Sequence, residues 1–270
     1  MASNNGLYLF LSLDIVNSTM YKTKDPDWSR LFIEIYDKTI TIVKQNWTNC
    51  KLWKTLGDEL LFYKKIENKK QLIDTLTQVN TISLEANQLM RLLSPNDISI
   101  KISFKTTLWS GIVSNTLGTD RAKWLYTNIW MKNPVFTNSL DFIGPDVDIG
   151  FRISKTAYKN IVLIDAKLAC VFNLLIPTFA KRSKIVLFEQ LKGVWDNQHY
   201  PIVWYCEDWK RLINSFEYED KFNSKVIMWV EAENNSKLRD VNELEKIFKQ
   251  IGKVKEIQAI LNSINVKRLN

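Results

Sequence analysis

The sequence has a single histidine, His199, among its 270 residues, and this scarcity excludes several kinds of active site. Ser–His–Asp triads, Cys–His nucleophile pairs and histidine-rich metal sites all need a suitably placed imidazole. His199 lies in Trp195-Asp-Asn-Gln-His-Tyr-Pro201, a segment typical of a turn before a strand. Any chemistry of this chain would therefore depend on carboxylates, lysine, arginine and bound metal.

Glycine, proline and cysteine are also scarce, with eight, six and three residues respectively. The low glycine and proline content, together with 46% hydrophobic residues, indicates a packed globule with few flexible linkers. The cysteines are odd in number and lack metal-ligand spacing, which favours a reducing compartment. We therefore expect a cytoplasmic protein.

Long apolar runs are absent, since no stretch approaches the ~20 residues of a membrane helix. The first apolar run, Leu7 to Leu13, is short, follows no basic region and ends at an acid, so it predicts a strand rather than a signal peptide. The net charge of +8 would attract a small polyanionic substrate. Nucleic acid is a weaker expectation, because the basic residues form no block of five or six.

The order of apolar patterns predicts an α+β fold with a mixed, partly antiparallel sheet. The pattern is successively strand, helix, hairpin, helix and strand over residues 7–13, 28–47, 51–63, 69–93 and 98–113. A helix near 150–158 and strands at 161–164, 184–191 and 201–205 follow. The character changes near residue 208, after which we expect a strand at Val226 to Val230 and a charged helical tail from Val241 to Val266.

Two aspartates stand at predicted strand ends. Asp14 ends the buried first strand, where open sheets collect ligands, and Asp58 lies at the tip of a hairpin. Such a pair suits Mg²⁺, which completes its shell with phosphates and water. Asn17-Ser18-Thr19 would open a helix whose N–H groups can hold a phosphate. On spacing alone, a turn former at Asp58 and a cap at Asp14 explain the same residues.

Three motifs resemble those of class III nucleotidyl cyclases. Asp14-Ile-Val-Asn-Ser-Thr19 resembles the first metal motif, and Lys54-Thr-Leu-Gly-Asp-Glu59 resembles the hairpin that carries the second metal-binding aspartate. Asp141-Phe-Ile-Gly144, with Val147-Asp-Ile-Gly-Phe-Arg-Ile153, resembles the third, which bears a base-contacting Asp, an Asn and an Arg. The motifs follow the family's order, and the resemblance covers residues 7 to 205.

The resemblance implies a ferredoxin-like class III cyclase domain over residues 1–208, with an α/β extension of unknown role over 209–270. It also implies a homodimer whose shared active sites bind a nucleoside triphosphate. Asp14, Asp58 and the backbone carbonyl of Ile15 would hold two Mg²⁺ or Mn²⁺ ions. Arg152 of the partner protomer would face the α-phosphate as the ribose 3′-hydroxyl attacks and pyrophosphate leaves.

Several positions depart from the family pattern or leave alternatives open. Asp148 stands where the family has an Asn that orients the ribose, and it is isosteric with that Asn but anionic and unable to donate through an amide. Ile112 stands where some members have an Arg, and triphosphate binding must then depend on other cations. Lys192, in Leu191-Lys-Gly-Val194, is a candidate for phosphate binding, with an exposed turn lysine as the alternative.

The choice of base depends on Lys54, Asp141 and Trp53. Lys54 and Asp141 fall on the family's base-selecting positions, and a Lys–Asp pair there favours adenine. The segments around Trp53 and Tyr200-Pro-Ile-Val-Trp-Tyr205 instead resemble bacterial pyrimidine cyclases of antiphage defence, in which bulky residues shorten the base pocket. Trp53 would do so only if it turns inward instead of Lys54, since neighbours on a strand point to opposite faces.

The sequence therefore predicts a metal-dependent cyclase acting on UTP or CTP, as a second-messenger synthase in antiphage signalling. An adenylate or guanylate cyclase is the nearest alternative. The alternative from another class is a cyclase-like domain that binds nucleotide without turnover, motivated by Asp148 and Ile112.

Overall fold

The computed structural model of the chain describes residues 5–93, 100–114, 128–132, 140–209 and 239–266. Its strands, β1 to β10 in chain order, are Gly6–Val16, Lys51–Leu56, Glu59–Ile66, Ser103–Ser114, Asn128–Lys132, Leu140–Ile143, Val162–Ile164, Ser183–Gln190, His199–Tyr205 and Arg239–Asp240. Its α-helices, α1 to α8, are Ser18–Lys24, Trp28–Asn46, Lys69–Leu93, Pro145–Ile153, Ala166–Leu175, Phe179–Arg182, Leu244–Gln250 and Val254–Ser263.

The strands form one mixed sheet in the order β10-β8-β9-β7-β4-β1-β3-β2, and β5 joins β6 to the side of β4. The pairs β4–β7 and β4–β5 are parallel, whereas β1 pairs antiparallel with both β3 and β4. Helices cover this sheet, so the predicted α+β class with a mixed sheet is confirmed. The central position of β1 explains its nearly continuous apolar sequence, because both of its faces are covered.

The alternation along β1 separates two cores. Leu9 and Leu11 are fully buried on one face, in a core shared with buried residues of α2, α3, α5 and α8. Tyr8 and Phe10 point to the opposite face, where Phe142 of β6 packs on both rings at centroid distances of 5.5 and 5.0 Å. The strand pair β5–β6 and the helix α4 therefore lie on the second face of the sheet, which the odd-numbered residues of β1 do not reach.

A buried amide ties helix α3 to the sheet near the end of β1. Asn87 accepts a hydrogen bond from the Phe104 N–H at 2.8 Å and donates one to the Phe104 carbonyl at 3.1 Å. Phe104 is the partner of Ile15 in the β1–β4 register. This bidentate contact fixes the stretch of β4 that lies beside the carboxyl end of β1.

Two helices differ from their sequence predictions. The helix predicted near 150–158 begins earlier, at Pro145, and passes into a 3₁₀ turn at Ser154–Thr156. Helix α5 was not predicted at all, although Asp165 caps it by accepting from the Leu168 N–H at 2.8 Å. Its residues are buried on almost every side, so the sequence lacks the polar stripe that marks an amphipathic helix.

The C-terminal part of the described chain packs on the same core as the strands. β10 pairs with β8, and Leu244, Phe248 and Ile260 are fully buried in the first core. The tail predicted as one helix is a 3₁₀ turn followed by α7 and α8, which separate at Gly252 with a left-handed φ of +70°. The strand predicted at Val226 to Val230 lies outside the described residues. Within the described ranges no helix is both long and apolar enough to cross a membrane.

Candidate functional site

Asp14 and Asp58 lie at the same end of the sheet, where β1 ends and the β2–β3 hairpin turns. The β1–β3 register places Asp14 opposite Glu59, the residue that follows Asp58 in the hairpin turn. Both aspartates also act on the same phenol, since burial together with the charges of Asp58 and Asp14 raises the pKa of Tyr36 to about 12. Asp58 thus lies between Gly57, whose carbonyl accepts from the Tyr36 hydroxyl, and Glu59, which is opposite Asp14.

The tip of the β2–β3 hairpin is held from two sides. The Tyr36 hydroxyl of α2 donates to the Gly57 carbonyl at 3.0 Å, and Gly57 adopts the left-handed φ of +65° that the turn needs. On the other side, the Ser12 hydroxyl donates to a Glu59 carboxylate oxygen at 2.5 Å. Burial raises the pKa of Glu59, and the charges of Asp14 and Asp58 add to the effect.

Lys105 forms an ion pair with Asp14. It lies directly opposite Asp14 on β4, and its Nζ is 2.7 Å from Asp14 Oδ2, with each side chain 24% exposed. Sequence reasoning missed Lys105, Tyr36 and Ser12, because only the strand register and the packing of α2 reveal these contacts. Glu59 carried a signal, its position next to Asp58.

The donor set at this edge fits a divalent cation that also binds substrate. In the part of the chain that the structure describes, no three His, Cys, Asp or Glu side chains form a group that could hold a metal alone. Two carboxylates are enough for Mg²⁺ when phosphates and water complete its shell. The Ile15 side chain has no metal-binding atom, so Ile15 could contribute only its backbone carbonyl, at the point where β1 has passed its last pair with β3.

A second group of predicted residues meets on the second face. The Trp53 Nε1 and the Lys54 Nζ each donate to Asp141 Oδ1 at 2.9 Å, and the Phe142 N–H donates to the same oxygen at 3.0 Å. Burial acts to raise the pKa of Asp141, but the hydrogen bonds outweigh it and leave that pKa below its usual value.

A bulge in β2 resolves the alternative between Trp53 and Lys54. The β2–β3 register shifts between Leu52 and Lys54, so the two neighbours do not simply point to opposite faces. Trp53 is 6% exposed, and the Lys54 ammonium lies 4.3 Å from the centre of its ring. The expectation that one of the two must exclude the other was wrong, because both side chains reach Asp141.

Helix α4 carries Asp148 and Arg152 on the second face. Asp148 is exposed in its first turn, and Arg152 is partly exposed near its end. Among the described residues the Arg152 guanidinium has no hydrogen-bond or ion-pair partner. Gly150 sets the position of the helix, because a Cβ there would lie 2.3 Å from Trp109 Cε2.

The remaining predicted residues are more scattered. Ser18 is buried and Thr19 exposed at the start of α1, directly after β1 and therefore next to Asp14. Lys192 is exposed in a turn closed by the Val194 N–H donating to the Leu191 carbonyl at 3.0 Å. That turn follows β8, at the end of the sheet where β1 begins. Asp14 lies at the opposite end of the strands. Within one chain Lys192 is thus roughly 25 Å from Asp14 along the strands.

Comparison with solved structures identifies the fold. The chain is similar to the adenylyl cyclase CyaB from P. aeruginosa, with a TM-score of 0.57 and 12% identity over 78% of this chain and 98% of that one. It is also similar to the catalytic core of a rhodopsin-guanylyl cyclase with converted specificity in complex with ATPαS, with a TM-score of 0.52 and 13% identity over 74% and 96%.

A third similar structure is the guanylate cyclase domain of RhGC from Catenaria anguillulae in complex with GTP, with a TM-score of 0.51 and 15% identity over 76% of this chain and 98% of that one. No family model and no curated protein matches the sequence. The structural likeness is therefore carried by topology at very low sequence identity. The chain has the fold of the class III nucleotidyl cyclase catalytic domains.

Proposed function

We propose that this chain is a metal-dependent nucleotidyl cyclase, which converts a nucleoside triphosphate to its 3′,5′-cyclic monophosphate and pyrophosphate. The observation that carries the proposal is the placement of Asp14 and Asp58 at the same end of the sheet near Tyr36, on a fold shared with adenylyl and guanylyl cyclases. The reaction needs no histidine, which agrees with the single exposed His199.

Different residues would bind the metal ions, bind the phosphates and stabilise charge at the α-phosphate. Asp14, Asp58 and the Ile15 carbonyl would hold two Mg²⁺ or Mn²⁺ ions, which supply an activated 3′-hydroxyl and a neutralised leaving group when bound. The backbone N–H groups at Ser18 and Thr19 would contact phosphate oxygens beside them. Arg152, a guanidinium with no described partner, would stabilise charge at the α-phosphate.

The separation of Lys192 from Asp14 supports a site shared by two chains. A lysine at the opposite end of the strands cannot reach the phosphates held at Asp14 of its own protomer. In a two-fold homodimer, Lys192 and Arg152 of one protomer would complete the site that contains Asp14 and Asp58 of the other. We therefore propose a cytoplasmic homodimer with two shared active sites.

The contacts of Asp141 favour a pyrimidine. Trp53 and Lys54 already occupy Asp141 Oδ1, and the large Trp53 ring fills space beside them. A base that reads Asp141 would then use Oδ2 and would have less room than an empty Lys–Asp pair offers. We propose UTP or CTP as the substrate and a role in antiphage signalling, with ATP as the alternative that the Lys54–Asp141 pair supports.

Shortening Trp53 should shift the choice of base. Trp53→Leu removes an indole beside Asp141, so the ratio of purine to pyrimidine turnover is expected to rise about tenfold. The measurement is kcat/KM for each of the four triphosphates with Mn²⁺. Trp47→Leu is the matched control, because Trp47 is likewise buried, at 0% against 6% exposure, but lies in the other core and contacts Thr75 instead. An unchanged ratio would remove Trp53 from base selection.

Removing Lys105 should strengthen metal binding. The Lys105 ammonium neutralises Asp14 at 2.7 Å, so Lys105→Gln is expected to tighten Mn²⁺ binding about fivefold in the nucleotide-free protein. Titration followed by electron paramagnetic resonance of free Mn²⁺ measures this directly. Lys38→Gln serves as the control, since Lys38 pairs with Glu34 on the exposed side of α2. Weaker Mn²⁺ binding would show that Lys105 supports the ion instead of competing with it.

The direct test of the proposal is product identification. The purified chain, incubated with Mn²⁺ and all four ribonucleoside triphosphates together, should release pyrophosphate and one dominant cyclic nucleotide detectable by mass spectrometry. Absence of any cyclic product from all four would overturn the proposal. Tight triphosphate binding without turnover would instead support a nucleotide-binding module, for which the Asp14–Lys105 ion pair and the exposed Asp148 are the motivating observations.

A further inference from the structure

A buried charged cluster lies beneath the start of α4, apart from the proposed metal site. Lys167 of α5 is 8% exposed, and its Nζ is 2.5 Å from Asp146 Oδ1 in the first turn of α4. Asp165, 2% exposed, accepts hydrogen bonds from the Ser110 N–H at 2.6 Å and from the Ser110 hydroxyl at 3.0 Å. The cluster therefore joins α4, α5 and β4 through groups that have little access to water.

The C-terminal helices complete the surroundings of this cluster. Glu256 of α8 and Tyr200 of β9 line the same small cavity as Lys167 and the two aspartates. The Tyr200 hydroxyl accepts from the Ala166 N–H at 2.9 Å, at the start of α5. Three carboxylates thus line the cavity around the buried Lys167 ammonium, and the third, Glu256, comes from the segment after residue 238 and also pairs with Lys253 at 3.1 Å.

The cluster contacts the first turn of α4 and can therefore affect the position of this helix. No side chain caps the N-terminus of α4, where Gly144 occupies the N-cap position. The Lys167–Asp146 ion pair instead ties the first turn of α4 to α5. Buried charges are costly unless they are paired, so removal of the Lys167 ammonium would weaken the compensation of the neighbouring carboxylates and would loosen the first turn of α4. Arg152 lies less than two turns further along the same short helix.

We propose that Lys167 is a positioning residue, which holds α4 and thereby Arg152 in place. Glu256 on α8 extends the same charged cluster to residues 239–266. The effect on catalysis rests on the proposed cyclase function. The effect on the order of α4 rests on the fold alone, so the two can fail separately. Residues 239–266 are then an integral part of the unit that carries Arg152, not a removable appendage.

The test compares Lys167→Met and Glu256→Gln in the full chain, with Lys155→Met as the control because Lys155 is an exposed lysine just after α4. Hydrogen exchange of peptides that cover 145–153 should become at least tenfold faster in Lys167→Met and two- to threefold faster in Glu256→Gln. Both variants should lower kcat with KM changed less than twofold, since Arg152 acts on charge that develops in the transition state.

Unchanged exchange over 145–153 in folded Glu256→Gln and Lys167→Met would overturn the proposal, as would a rise in KM at constant kcat. If Lys167→Met fails to fold, Glu256→Gln decides alone, because the glutamine keeps the shape of the side chain. A wild-type chain that makes no cyclic nucleotide would overturn the cyclase proposal. The hydrogen-exchange measurements would still decide whether the cluster orders α4.

Discussion

Asp58→Asn should reduce cyclic-nucleotide formation by on the order of a thousandfold, because the site would lose one of the two carboxylates that hold the ions. Asparagine keeps the size of the side chain and is favoured in turns, so the hairpin should persist. Asp58 is partly exposed and builds no part of either core, so the melting temperature should stay within a few degrees of wild type. Pyrophosphate release with Mn²⁺ and the thermal transition measure the two effects.

Asp196→Asn is the matched control for Asp58→Asn. Asp196 is likewise an aspartate in a turn, with a left-handed φ of +53°, but it is exposed and follows β8 at the other edge of the sheet. It should retain full activity. Activity above about a tenth of wild type in Asp58→Asn would contradict a role for this carboxylate in holding an ion, whatever the stability of the variant.

Gly150→Ala should displace α4 and destabilise the protein. The new Cβ would lie 2.3 Å from Trp109 Cε2, far closer than any non-bonded carbon pair, and Trp109 is fully buried. Because neither helix α4 nor the buried Trp109 ring can move without loss of packing, the free energy of unfolding should fall by about 1–3 kcal/mol or more. Denaturant unfolding measures this loss, and activity should fall with it because Arg152 lies on the same helix.

A second substitution distinguishes a local clash from a general helix effect. Trp109→Leu removes the ring that Gly150 faces, and it also removes an indole N–H that is buried without a hydrogen-bond partner among the described residues. The double variant should be more stable than the sum of the two single changes predicts, with a coupling of about 1–3 kcal/mol. Additive losses would show that the contact with Trp109 does not determine the choice of glycine.

The fold could be predicted because its signals are local. The apolar run of β1, the turn at Gly57-Asp58 and the two long helical periods follow from residue order alone, and the α+β class was confirmed. Helix α5 escaped prediction because burial on nearly all sides removes the periodic pattern. The break in the C-terminal helical segment was also missed, although Gly252 was the signal that could have located it.

The site could be predicted only as separate motifs. The residues Asp14, Asp58, Lys54 and Asp141 carry the family's spacing, but their partners depend on register and packing. Lys105 meets Asp14 because β4 runs antiparallel to β1 with those two residues opposed, which no spacing rule reveals. Trp53 and Lys54 both contact Asp141 because the β2–β3 register shifts between Leu52 and Lys54. Regular strand alternation would instead place the two side chains on opposite faces.

The placement of α7 and α8 on α5 has a consequence for biosynthesis. These helices bury Leu244, Phe248 and Ile260 in a core most of whose other members precede residue 210. The apolar side of α5 in a nascent chain therefore stays uncovered until residues 241–264 have been synthesised. Products of premature termination would expose that side permanently and should be captured by chaperones or aggregate.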